Sequence, residues 1–193
     1  MRAFDRGQLQ NNTRFVAYNP HEMSRLVIKA LEFVPPERSF SFDLGCGNGG
    51  WTLMAAAAGL PSCGIDISSF LITHAERNYR AACEKGCIEP AVRCEFAVGN
   101  MYPPTFRTAD NEPATDVATD NAYRKLGIAV EDAGIVYAYA WRTEMPRLCR
   151  FLAESVRPKT ILILPRYGKA DLGPLRSQPL ESAERHFYIG RAL

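Results

Sequence analysis

The sequence predicts one α/β domain, a doubly wound, mostly parallel sheet with helices on both faces. Three observations carry that prediction. Strand-like and helix-like segments alternate from residue 19 to about 165, which implies right-handed crossovers and a sheet covered on both sides. The stretch "SFDLGCGNGG" (41–50) sets a run of glycines between a strand and a helix. "IVYAYAW" (135–141) and "TILIL" (160–164) run almost without a polar residue, as strands buried on both faces do. At 193 residues, 47% hydrophobic and 23% charged, the chain is long enough for one buried core and short for two ordinary domains. The single domain is expected over 1–193, with an N-terminal arm over 1–18 and a polar insertion over 102–132.

Each element has its own signal. Asn19-Pro20-His21-Glu22 reads as a helix start, with Asn as cap, Pro in the first turn and Glu three residues after the cap. Met23, Leu26, Val27, Ala30 and Leu31 then recur at helical spacing, and Pro35-Pro36 stops the helix. A short strand over 39–44 carries Asp43 at its end. The glycine loop turns it into a helix from about Gly50 to Ala58. The second strand, 62–67, is closed by Asp66; Ser68 or Ser69 caps the next helix, whose apolar stripe is Leu71, Ile72, Ala75, Tyr79 and Ala82. A third strand, 93–98, meets Gly99-Asn100.

The insertion contains "YPPTF" and "DNEPATD" and reads as a long loop followed by a helix around 122–130. The fourth strand spans 135–141, and Thr143 starts a helix bearing Met145, Leu148, Cys149, Leu152 and Val156. The fifth strand is 160–164. Residues 165–183 are rich in Pro, Gly and Ser and are expected to be irregular, ahead of a last strand at "HFYIG" (186–190). Ligands in such sheets sit beyond the carboxyl ends of the strands where strand order reverses. That gathers Asp43 to Gly50, Asp66, Gly99-Asn100 and Tyr139 to Trp141 around one crevice.

Composition narrows the function. A net charge of +2 gives no overall reason for a nucleic-acid or anionic-membrane partner. No run approaches the roughly 18 apolar residues of a membrane helix. The N-terminus lacks the apolar segment of a secretory signal, and Asp5 interrupts the Arg2, Arg6, Arg14 pattern, so a cytoplasmic location is expected with the mitochondrion as alternative. The six cysteines are spread along the chain and read as reduced thiols. Cys83 and Cys87, four apart, are expected on the buried face of one helix, and no metal is expected. His21, His74 and His186 show no nucleophile partner and read as surface or packing residues.

The glycine loop fits two patterns. Gly45, Gly47 and Gly50 match G-x-G-x-x-G, the dinucleotide fingerprint, so a nicotinamide oxidoreductase is one candidate. Asp43, Gly45, Gly47 and Gly49 match D-x-G-x-G-x-G, the pattern of S-adenosylmethionine-dependent methyltransferases. The acid separates them. Dinucleotide sites place a pyrophosphate against the N-terminus of the following helix, and a carboxylate roughly 4 to 6 Å from that anion costs a few kcal/mol at an effective dielectric near 20. S-adenosylmethionine carries an ammonium and a sulfonium, for which Asp43 is an attraction. Cys46, inside the loop, is counted with its lining. Asp66 offers two acceptor oxygens for two vicinal ribose hydroxyls. Asn100 and Met101, with Ile67, are placed for an adenine edge and its faces.

"FDLGCGNG" followed by "GIDIS" resembles the class I, seven-strand S-adenosylmethionine-dependent methyltransferases over residues 18 to 165. The resemblance implies that Asp43, Gly45, Gly47 and Gly49 hold the methionine part and Asp66 the ribose; the usual acid after the third strand is Asn100 here. A finer likeness runs through residues 18–50 and 135–168 to a subgroup of small methyltransferases that includes protein-lysine methyltransferases of mitochondrial ATP synthase. It implies that Tyr18 closes over the cofactor.

The acceptor is less legible. After the fourth strand, enzymes of this class that modify adenine or amides carry Asn/Asp-Pro-Pro-Tyr, and this chain has "YAYAWRTE". Nucleic-acid bases are therefore not the expected substrate. Tyr139, the candidate catalytic residue, and Trp141 can wall a cationic or amine acceptor through cation–π attraction, which favours a protein lysine or a small amine. Glu144 reads as a helix-start acid. A non-catalytic methyltransferase-like binding subunit is the third reading, since the acceptor motif is absent.

Overall fold

A computed structural model describes residues 19–103, 105–106, 121–166, 172–180 and 187–193. In chain order the elements are α1 (Pro20–Phe33), β1 (Ser41–Leu44), α2 (Gly50–Ala57), β2 (Ser62–Asp66), α3 (Ser69–Glu84), β3 (Cys94–Val98), α4 (Asn121–Leu126), β4 (Ile135–Ala138), α5 (Met145–Ser155), β5 (Ile161–Pro165), β6 (Ser177–Pro179) and β7 (Phe187–Ala192). They build one seven-stranded sheet in the order β3-β2-β1-β4-β5-β7-β6. The first five strands are parallel; β7 runs antiparallel to both neighbours.

Alternation along the strands sorts the core into two layers. Phe42, Leu44, Val136, Ala138, Leu162 and Leu164 face α4 and α5. Ile135, Tyr137, Ile161 and Ile163 face α1 and α2, and α3 extends that layer over Cys94 and Phe96. α1 starts as expected, the Asn19 side chain accepting from the His21 N–H at 3.0 Å with Pro20 in the first turn. Strand order reverses between β1 and β4, so the crevice lies beyond the carboxyl ends of those two strands.

Five expectations are corrected. β4 stops at Ala138 instead of Trp141: its last pair with β1 is Leu44–Ala138, and the glycine loop then turns away, leaving Tyr139 and Trp141 exposed. β2 likewise stops at Asp66, and Ile67 is exposed. The stretch expected to be irregular contains β6, a three-residue edge strand whose Ser-Gln-Pro sequence carries no apolar alternation. Cys87 lies beyond the end of α3 and is exposed, so it shares no buried face with Cys83. The helix expected around 122–130 is α4 alone; Gly127, at φ 62°, ends it, and a 3-10 turn follows over Val130–Asp132. The arm over 1–18, with Tyr18, and the loop over 107–120 lie outside the described residues.

Candidate active site

β1 delivers Asp43 and Leu44 to the sheet's edge, and the chain turns at once. Gly45, Gly47 and Gly49 all have positive φ, at 81°, 56° and 86°, a region that costs residues with a Cβ. The loop's own geometry thus accounts for three of the glycines, beyond the ligand-based reason the sequence suggested. The turn folds back on β2: the N–H groups of Gly45 and Cys46 both donate to the Ile65 carbonyl, at 2.8 and 2.9 Å. A Cβ on Gly45 would stand 3.6 Å from Met101 Cε, so Met101 packs on the loop. A Cβ on Gly49 would meet the Phe96 ring at 2.9 Å, so that glycine answers to packing against β3.

Asp43 is 1% exposed. Its Oδ2 accepts from the Thr52 hydroxyl at 2.8 Å and from the Thr52 N–H at 3.3 Å. α2 is preceded by Gly49, which has no side chain to cap it, and Thr52 is its third residue. Asp43 therefore performs from β1 the task of an N-cap carboxylate, and its charge sits at the positive end of the helix dipole. Its Oδ1 is buried without a hydrogen-bond partner. Burial, offset in part by the two Thr52 bonds, pushes the carboxyl up to about 7. Two residues back on the same strand, Ser41 Oγ accepts from Trp51 Nε1 at 2.7 Å, so β1 holds α2 at two successive residues.

This seating requires Gly64 on β2, which the sequence reading passed over. A Cβ there would stand 2.7 Å from Cys46 Cβ, 2.8 Å from its Sγ and 2.9 Å from Thr52 Oγ1. A glycine inside a buried strand signals close backbone approach, and here it admits the loop and α2 onto the sheet. Cys46, expected among the lining residues, is instead turned under the loop against Gly64; burial holds its thiol well above the ordinary value.

Asp66 lies across the loop. Its Oδ2 accepts from the Gly47 N–H at 2.9 Å and its Oδ1 from the Ser68 N–H at 2.8 Å. It thus shares the helix-start duty expected of Ser68, whose Oγ accepts from the Leu71 N–H at 3.3 Å. Burial raises its carboxyl, against the pull of those two N–H groups. The Gly99 N–H donates to the Asp66 carbonyl at 2.9 Å, which brings the end of β3 alongside. Asn100 Oδ1 then accepts from the Tyr102 N–H at 3.0 Å. The structure thus gathers Asp43, Gly45, Gly47, Asp66, Ile67, Asn100 and Met101 at the ends of three adjacent strands.

A row of aromatic rings runs from α2 across β4 to β7. Trp51 stacks on Tyr137 at 4.7 Å and 2°, Tyr137 contacts Phe187 at 5.9 Å, and Phe187 meets Tyr139 edge-on at 6.0 Å. Glu144, expected only as a helix-start acid, also accepts from the Tyr102 hydroxyl at 3.2 Å, and the Arg147 guanidinium lies over the Tyr102 ring at 4.6 Å. Tyr102 is the residue that joins the β3 side of the crevice to the β4 side. Among the described residues no group of three His, Cys, Asp or Glu side chains is placed to hold a metal, and no helix is long and apolar enough to cross a membrane.

The fold is that of the Rossmann-like class I methyltransferases. An RNA methyltransferase from Salinibacter ruber, solved with S-adenosyl-L-homocysteine, matches with TM-score 0.54 and 20% identity, over 92% of this chain and 92% of that one. A tRNA (uracil-54, C5)-methyltransferase from Pyrococcus abyssi, solved with the same compound, matches with TM-score 0.56 and 20% identity over 93% of this chain, which spans 40% of that enzyme. Magnesium protoporphyrin IX methyltransferase from Synechocystis PCC 6803, with bound S-adenosylmethionine, matches with TM-score 0.55 and 14% identity, over 90% and 79%. No protein-family model matches the sequence, and no curated protein does. Proteins of this fold are thus named for RNA, tRNA and a porphyrin; the fold selects no acceptor and gives no ground for excluding nucleic acid.

Proposed function

We propose that this chain transfers a methyl group from S-adenosylmethionine to an acceptor bound beside Tyr139 and Trp141. The observation that carries the reading is the carboxylate of Asp43 on the N-terminus of α2. A pyrophosphate needs that same positive end, and here it is taken by a buried acid with one oxygen unpaired. The alternative nicotinamide reading thus loses its anchor. A cationic methionine moiety in front of the loop is favoured by the same charge, acting through the loop, since Asp43 itself is buried.

The remaining residues suit the rest of that molecule. Each Asp66 oxygen takes one backbone N–H and keeps acceptor capacity for a ribose hydroxyl. Ile67, 61% exposed, and Met101 offer apolar faces to the adenine. Asn100 has committed its oxygen to Tyr102, which leaves its amide hydrogens as donors toward a ring nitrogen. Gly45 and Gly47 let the methionine part approach the backbone, and Tyr18 is proposed as a cover on the strength of the family resemblance. When bound, S-adenosylmethionine supplies an electrophilic methyl carbon: the acceptor's electron pair forms the new bond as the carbon–sulfur bond breaks, its pair staying on sulfur. The chain's contribution is alignment of the two reactants, worth on the order of 7 to 11 kcal/mol in ideal cases.

The acceptor drawn from the sequence, a protein lysine or small amine, is supported by the exposed rings of Tyr139 and Trp141. The same rings suit a planar base, and the charges around them separate the two readings. Calorimetry with S-adenosylhomocysteine and, separately, NADH tests the cofactor: one-to-one binding of the first is expected, and binding of NADH alone overturns the proposal.

A further inference from the structure

We propose that the turn after β4 is a stacking platform for the bases of a single-stranded nucleic acid, with Arg142 and Arg166 meeting its phosphates. This deepens the methyl-transfer reading by naming the acceptor's class, and rests on that reading for the chemistry alone.

Both rings of the platform are exposed, and one of them is backed by another ring. Tyr139 is 36% exposed and Trp141 44%, while Ala140 between them is buried. The exposed–buried–exposed alternation thus continues past the end of β4 over Tyr139, Ala140 and Trp141. Tyr139 is backed by Phe187, which contacts Tyr137, on which the buried Trp51 stacks. The outer ring of that row is thus held in place before any ligand arrives. Base–aromatic stacking uses such preset faces and tolerates any base.

Charge selects the occupant. Arg142 follows Trp141 and is exposed. Phe187, which meets Tyr139, pairs with Pro165; Arg166, exposed, comes next. Arg147 stands over Tyr102 at the foot of the same turn. Two exposed guanidinium groups, of Arg142 and Arg166, thus stand by the rings, and the one described acid in the turn, Glu144, is held by the Tyr102 hydroxyl. A lysine ammonium meets net repulsion here, and a phosphate backbone meets attraction. The missing Asn-Pro-Pro-Tyr clamp bears on exocyclic amino nitrogens; stacking makes no use of it.

The two tryptophans give a direct readout, because Trp51 is 1% exposed and Trp141 is 44% exposed. A mixed-sequence 12-nucleotide RNA, its DNA counterpart, the RNA duplex and a lysine-containing peptide are each titrated into the protein. The single strands are expected to quench the exposed tryptophan and to bind with a logarithmic salt slope of about −1.4, two phosphates at about 0.7 each. By anisotropy of a labelled strand, Trp141→Ala and Tyr139→Ala each weaken binding about fivefold or more. Arg142→Ala lowers the salt slope by about 0.7. Trp141→Ala is expected to leave the melting temperature unchanged, and Tyr139→Ala, which loses the contact with Phe187, to lower it slightly. Absence of strand binding, equal binding of the duplex, unchanged affinity in both aromatic variants, or peptide binding lost in Trp141→Ala each overturns the proposal. Strand binding without S-adenosylhomocysteine binding leaves it standing and removes the methyl-transfer reading; the converse removes the platform alone.

Discussion

Thr52 holds Asp43 twice through a single oxygen, by hydroxyl at 2.8 Å and by N–H at 3.3 Å, and the other carboxylate oxygen is buried with no partner. Thr52→Val removes the hydroxyl while keeping the shape. The expected loss is about 1–3 kcal/mol for a buried acceptor deprived of a donor. That bond favours the charged acid, so the loss grows between pH 5 and pH 8. Thermal melts at the two pH values check it; equal losses would show that the hydroxyl does not serve the carboxylate.

Asp43 also sets a pH dependence. Its carboxyl titrates near 7 in the folded chain and about 3.9 unfolded. A raised acid contributes stability that is full below the unfolded value and is lost as pH rises through the folded one. From this group, stability falls between about pH 4 and 7, and Asp43→Asn removes that slope. Affinity for S-adenosylmethionine should rise over pH 6 to 8 as the acid ionises, and Asp43→Asn should weaken it about 10-fold or more. Calorimetry across that range decides; a flat profile contradicts the assigned role.

Gly64→Ala places a Cβ against Cys46 and Thr52 at 2.7 to 2.9 Å. Neither neighbour is the far end of a flexible chain, so the glycine loop and α2 must shift. Overpacking of this kind costs about 1–3 kcal/mol, and affinity for S-adenosylhomocysteine should fall with it. Denaturant unfolding and calorimetry on one preparation test the pair. Full affinity in a destabilised variant would separate Gly64 from the site.

Asp66→Asn leaves one acceptor oxygen for two backbone donors, the Gly47 and Ser68 N–H groups. A stability loss of about 1–2 kcal/mol without any ligand is expected, beside a weaker hold on ribose. A variant that loses affinity and keeps its melting temperature would show that Asp66 serves the ligand alone.

Cys87 is exposed and Cys46 is buried with its thiol held well above the ordinary value. Brief alkylation of the folded chain should label Cys87 and spare Cys46 until unfolding. Peptide mass mapping shows which thiol reacts first.

What the sequence disclosed was local. The Asn19 cap, the strand–glycine–helix order and the position of Asp43 are set within a few residues, and the structure keeps them. What escaped depends on partners distant along the chain. Gly64 matters because Cys46 and Thr52 pack over it. Tyr102 reaches Glu144 across 42 positions. β4 is shorter than its apolar run because its neighbour β1 turns away at Gly45. Stopping there leaves exposed the two rings that the pattern of the fourth strand buried. β6 has three residues and no periodicity to read.

The position of β7 bears on how the protein is made. It follows β5 and β6 in chain order and lies inside the sheet, between them. On a translating ribosome Ile161–Pro165 emerges with one flank open, an apolar edge that stays available to other chains until β7 arrives. Phe187, the support behind Tyr139, comes with that same strand. Vectorial synthesis therefore completes the glycine loop before the aromatic platform.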